Sequence, residues 1–132
     1  VVGMSNLVTF LEHTEAYRIL RYVVDQFADQ CLERGERPIF LVFPDRFTLE
    51  LLRTYGQAPH TVLVDYLRGK GYDFLDFCAI FSAEDYTRYF VGPAGNYNSH
   101  FSPAGNARVA EELVKLVRTL DARKDAAAAG RR

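Results

Sequence analysis

The chain lacks an apolar run long enough to cross a bilayer. Its longest, Pro38 to Pro44, is seven residues, whereas a helical span needs about 20. It also lacks an excess of either charge. The net charge is -1 with both signs interspersed, so no basic face points to nucleic acid or to an anionic membrane. Cysteine is scarce: Cys31 and Cys78 are the only two. They form no CxxC and have no histidine at ligand spacing, so they read as buried free thiols. Neither GxGxxG nor P-loop spacing occurs, which removes the sequence basis for nucleotide binding. No secretory signal is visible, and the first residue is Val1 rather than Met. The natural start is therefore expected upstream.

What is present is the material of one globular domain. The chain has 132 residues, 48% hydrophobic and 25% charged, enough to bury a core. From Glu15, Ala16, Ile19, Leu20, Val23, Val24, Phe27, Ala28 and Cys31 recur at helical spacing, ending near Gly35. Ile39 to Phe43 is a continuous apolar run with two β-branched residues, as a strand buried on both faces requires. Phe47 to Tyr55 reads as a short helix capped by Asp45, and Thr61 would cap another that ends at Gly69/Gly71. Tyr72 to Phe77 reads as a second strand, with Asp76 capping the turn after it. Val1 to Met4 is a candidate third. Ser82 to Asn98 is irregular and rich in Gly, Asn, Pro and aromatics. Ser102 as N-cap and Pro103 at the first helical position then open a helix to Asp121.

This helix–strand alternation predicts an α/β domain over residues 1–121 with a parallel sheet. Residues 122–132, rich in Ala and Gly with a cluster of basic residues, read as a disordered, solvated tail. With two or three strands where open doubly wound sheets carry about five or six, the chain reads as part of a larger sheet. No repeat or linker divides it.

Ligands of such sheets sit beyond the carboxyl ends of the strands, and His100 lies in the loop after the last predicted strand. The turn-rich Gly95-Asn96 and Asn98-Ser99 precede it and the Ser102-Pro103 helix start follows it. That setting would hold a general base in place. The aromatics around this loop, Tyr86, Tyr89, Phe90, Tyr97 and Phe101, read either as a pocket lining or as core. His13 and His60 flank helix starts and belong to no grouping of carboxylates or cysteines at ligand spacing, so no metal site is expected. Asp45 at a strand end lacks the upstream acidic pair and the later lysine that a phosphoacceptor site requires.

The run His100-Phe101-Ser102-Pro103-Ala104-Gly105-Asn106, continuing through Arg108, Val109, Ala110 and Glu111, resembles the last block of the SGNH (GDSL-type) hydrolases. The resemblance covers Thr14 to Leu120, with the specificity in the histidine block. It implies a flavodoxin-like three-layer sandwich, of which this chain would be the C-terminal half. It also implies hydrolysis of an ester, or acyl transfer, through a serine acyl-enzyme with His100 as general base. No metal or organic cofactor is implied, and the substrate would be a small-molecule or carbohydrate ester. Two features depart from the pattern. Tyr97 stands three residues before the histidine, where the family places its acid, and Asn98 stands two before. Asn98 reads as a turn residue or as an amide that orients the imidazole. Ser5, Ser82, Ser99 and Ser102 all lie outside any Gly-Asp-Ser motif, so the nucleophile is expected outside this chain. The alternative from a different class is a catalytically inactive α/β module that binds a carbohydrate or a protein.

Overall fold

The computed structural model describes residues 10–92 and 100–129. The order is α1 (Glu15–Glu33), β1 (Ile39–Val42), α2 (Arg46–Tyr55), α3 (Thr61–Lys70), β2 (Asp73–Asp76), α4 (Phe77–Ser82), a 3-10 turn (Tyr86–Tyr89) and α5 (Pro103–Ala129). β1 and β2 pair in parallel, Ile39 opposite Asp73 through Val42 opposite Asp76. The protein is thus mixed α/β, largely helical around a small parallel sheet. Among the described residues the sheet has two strands. The candidate strand Val1 to Met4 lies outside the described residues.

Local chemistry explains most of the boundaries. Thr14 caps α1 by accepting from the Tyr17 amide, and Gly35 at φ 72° closes its far end. Asp45 caps α2, accepting from the Thr48 amide at 2.6 Å, and Gly56 ends it in the left-handed region. Thr61 is the first residue of α3 rather than its cap. His60 holds the cap position without a side-chain cap bond, while the Thr61 hydroxyl accepts from the Ala58 amide. Gly71 ends α3, and Gly69 lies within the helix. β2 stops at Asp76 because that carboxylate accepts from the Cys78 and Ala79 amides and turns the chain into α4. Phe77 and Cys78 are therefore helical. α5 runs on from Asp121 to Ala129, through most of the stretch read as a tail. Alanine has the highest helix propensity, and these added turns are solvent-exposed.

The core is aromatic. Phe77, Phe81 and Tyr89 are buried almost completely, with Phe90 close behind. Phe81 touches Phe77, Tyr89, Phe90 and Phe101, at centroid distances of 4.6–6.2 Å. The core reading holds for Tyr89 and Phe90, with Tyr86 and Phe101 partly buried against them, while Tyr97 lies outside the described residues. Leu49 from α2 and Val64 and Leu67 from α3 complete the cluster. α1 docks through Val24, a Phe27–Phe40 ring contact and the Tyr17 hydroxyl, which donates to the Val62 carbonyl. Its Asp25 carboxylate accepts from Tyr66, Tyr72 and Lys70 at 2.6–3.1 Å, tying α1 to α3 and to the start of β2.

Only part of the apolar face predicted for α1 is covered. Tyr17, Val24, Ala28 and Cys31 are buried, whereas Ile19, Leu20, Tyr22, Val23 and Phe27 are exposed. The helix is apolar over more than one stripe, and the described residues cover just one of them.

Removing the Phe81 ring should leave a cavity at the centre of the cluster. Phe81→Ala is expected to cost about 3–5 kcal/mol by denaturant unfolding, whereas Val117→Ala, on the exposed face of α5, should stay within about 0.5 kcal/mol.

Candidate functional site

Both groups of candidate residues lie where the strands end. Phe43 directly follows β1 and Phe77 directly follows β2, and their rings stack at 5.2 Å with a 6° interplanar angle. Phe101 packs on the same Phe43 ring at 5.7 Å. The residue after His100 is thereby seated beside the carboxyl end of β1.

The histidine segment is fastened from both sides. Phe90 and Phe101 form an antiparallel bridge, and the Val91 amide donates to the His100 carbonyl at 2.8 Å. Behind this pair, Arg46 reaches from the first turn of α2 and donates to the carbonyls of Phe90 and Gly92 at 3.3 and 2.8 Å. Its guanidinium also lies over the Phe90 ring. Arg46 is 8% exposed, and a charged donor shielded from water makes stronger bonds than a neutral one. On the other side Ser102 acts as the expected cap, its hydroxyl accepting from the Gly105 amide at 3.1 Å while donating to the Arg88 carbonyl. The Ser102 amide donates to the Tyr89 carbonyl at 2.9 Å. Gly105 lies so close to the 3-10 turn that a Cβ there would overlap the Tyr89 carbonyl oxygen, with the carbonyl carbon at 3.1 Å and the Phe101 Cβ at 3.2 Å. The glycine is needed for close approach between backbones. Arg108 adds ion pairs to Glu84 and Glu112, joining α5 to the segment before the turn. The His100 side chain itself is exposed. Its expected orienter Asn98, together with Tyr97, lies outside the described residues.

The second group is one that the spacing along the chain conceals. His60, Asp76 and Cys78 bring one ligand-type atom each to within 4.8 Å of one another. The His60 Nε2 is 3.7 Å from the Asp76 Oδ1. This differs from the expectation that His60 belongs to no grouping of carboxylates or cysteines. The three come from the start of α3, the end of β2 and the start of α4, and the chain reversals between these elements unite them. Cys78 is fully buried, and burial together with the neighbouring Asp76 and Asp45 charges pushes its thiol well above the usual value. Burial alone would push the Asp76 carboxyl up. The adjacent His60 imidazole and the Ala79 and Cys78 amides overcome that and hold it below the usual carboxylate range. Buried Nδ1 of His60 has no hydrogen-bond partner among the described residues. The clue in the sequence was Asp76-Phe77-Cys78 at a strand end. Reading Phe77 as strand rather than helix hid the geometry. Arg46 gave no signal beyond its place after a helix cap.

Comparison with protein-family models, with curated proteins and with solved structures returns no match to this chain.

Gly105→Ala is expected to destabilise the protein by about 1–3 kcal/mol through overpacking, read as a lowered denaturant midpoint with α5 still helical. Asp76 stabilises the fold through a carboxyl whose pKa is lower folded than unfolded. That contribution is complete above the ordinary carboxylate range and is lost as pH falls below about 4. The wild-type melting temperature should therefore drop on acidification, and Asp76→Asn should show a lower plateau near neutral pH and a shallower acid decline.

Proposed function

We propose that this chain forms the histidine-bearing part of an SGNH-type ester hydrolase or acyl-transfer centre built on a three-layer α/β sandwich. His100 takes the proton of a serine that lies outside these residues and gives it to the departing alcohol. It then takes one from the water that releases the acyl group and returns it to the serine. The observation that supports this reading best is the mounting of the histidine. An exposed imidazole follows a segment clamped by Arg46, precedes a capped helix, and stands beside Phe101 at the carboxyl end of β1. General bases work only when a scaffold holds them, and doubly wound sheets bind their ligands at that edge. The uncovered apolar stripe on α1 adds support, because the remaining layers of a sandwich would bury it.

The test is labelling of the full-length protein by a fluorophosphonate, together with hydrolysis of an activated ester. Wild type should label, and His100→Ala should react at least about 10³-fold more slowly while keeping its far-ultraviolet circular dichroism. Failure of the wild type to label, or equal rates in the two proteins, overturns the reading.

A further inference from the structure

We propose that His60, Asp76 and Cys78 form a binding site for a divalent transition-metal ion of the zinc type, separate from the histidine loop. The donor set is one nitrogen, one oxygen and one sulfur. Magnesium and calcium take oxygen ligands almost exclusively, whereas zinc accepts all three types and is held tetrahedrally by such mixtures. The spacing fits as well. Bonds of about 2.0–2.3 Å in a tetrahedral site put neighbouring ligand atoms about 3.3–3.8 Å apart. The 3.7 Å between the His60 Nε2 and the Asp76 Oδ1 falls in that window and is too long for a hydrogen bond. All three donors already lie within 4.8 Å of one another, so side-chain shifts of about an ångström close the set.

Charge balance favours the ion. One aspartate carboxylate and one cysteine thiolate neutralise a divalent cation, so the loaded site carries no net charge into a shielded position. When the ion binds, the Cys78 S–H bond breaks, its proton leaves to solvent and the sulfur–metal bond forms, with no change of oxidation state. Both the Cys78 and Ala79 amides donate to Asp76 Oδ1, at 2.9 and 3.3 Å, so the ion displaces the longer Ala79 bond or binds through the second carboxylate oxygen, which has its own acceptor positions. Those amides aim the carboxylate, as hydrogen bonds to a ligating group do in metal sites generally. Among the described residues the buried His60 Nδ1 has no hydrogen-bond partner, so the imidazole is not committed to another group. The His60 and Asp76 side chains remain 13% and 17% exposed, which leaves a fourth position open to water.

The experiment is titration of the reduced full chain with Co²⁺, whose thiolate complexes absorb in the near-ultraviolet and whose four-coordinate complexes absorb strongly in the visible. One equivalent should produce both bands, and Zn²⁺ should displace them. Cys78→Ser should abolish the thiolate band, whereas Cys31→Ser, altering the other buried cysteine, should retain it. His60→Gln should weaken Co²⁺ binding by about tenfold or more, judged against the loss that removal of supporting groups alone produces. Absence of a thiolate band in the wild type, or its survival in Cys78→Ser, overturns the proposal. Should Cys78→Ser not fold, His60→Gln decides, and unchanged Co²⁺ affinity in that variant overturns it equally.

Discussion

The arrangement depends on one packing constraint, the burial of the Phe81 ring among Phe77, Tyr89, Phe90 and Phe101. These rings come from α4, the 3-10 turn and the segments on either side of the histidine loop. Aromatic rings bury large areas and prefer offset or edge-to-face contacts, so a single central ring sets the mutual orientation of several segments. Phe43 extends the cluster to the end of β1. With only four residues in each strand, the sheet contributes little area of its own. The aromatic cluster fixes where its carboxyl edge lies relative to α5.

Polar groups then refine what the rings position. Arg46 donates to two main-chain carbonyls, one of them on buried Phe90 and the other on exposed Gly92, and so pins the segment before the loop. Ser102 couples the start of α5 to the 3-10 turn, and Gly105 lets the two backbones touch. Asp76 does two things at once. It ends β2 by capping the next turn, and its charge faces an imidazole and a thiol. The carboxyl edge therefore brings together the exposed histidine of the proposed acyl-transfer centre and the shielded nitrogen, oxygen and sulfur donors of the proposed metal site.

The uncovered apolar stripe of α1 shows how periodicity can overstate burial. Of the eight residues with the spacing of a core-facing helix, Val24, Ala28 and Cys31 are buried, joined by Tyr17. Ala16, Ile19, Leu20 and Val23 are exposed, and Phe27 makes a ring contact while half-exposed. Spacing reports that a face is apolar. It does not report which partner covers it.

Residue order alone determined α1, α2, α3, α5 and both strands with several of their ends, because caps and helix stops act within a few residues: Asp45 on α2, Ser102 on α5, Gly71 after α3. It did not determine α4 or the 3-10 turn. It also determined the run of apolar residues that became β1, and it singled out His100 by the turn and helix start around it. Tertiary structure decided what required distant parts of the chain to meet. Phe77 and Cys78 turned helical once Asp76 capped them, Arg46 found carbonyls more than forty positions away, and His60 met Asp76 and Cys78 across α3 and β2. Local hydrogen bonds can be read from neighbouring residues. A meeting of side chains depends on the path of the backbone between them, and that path is set by the packing of the whole core.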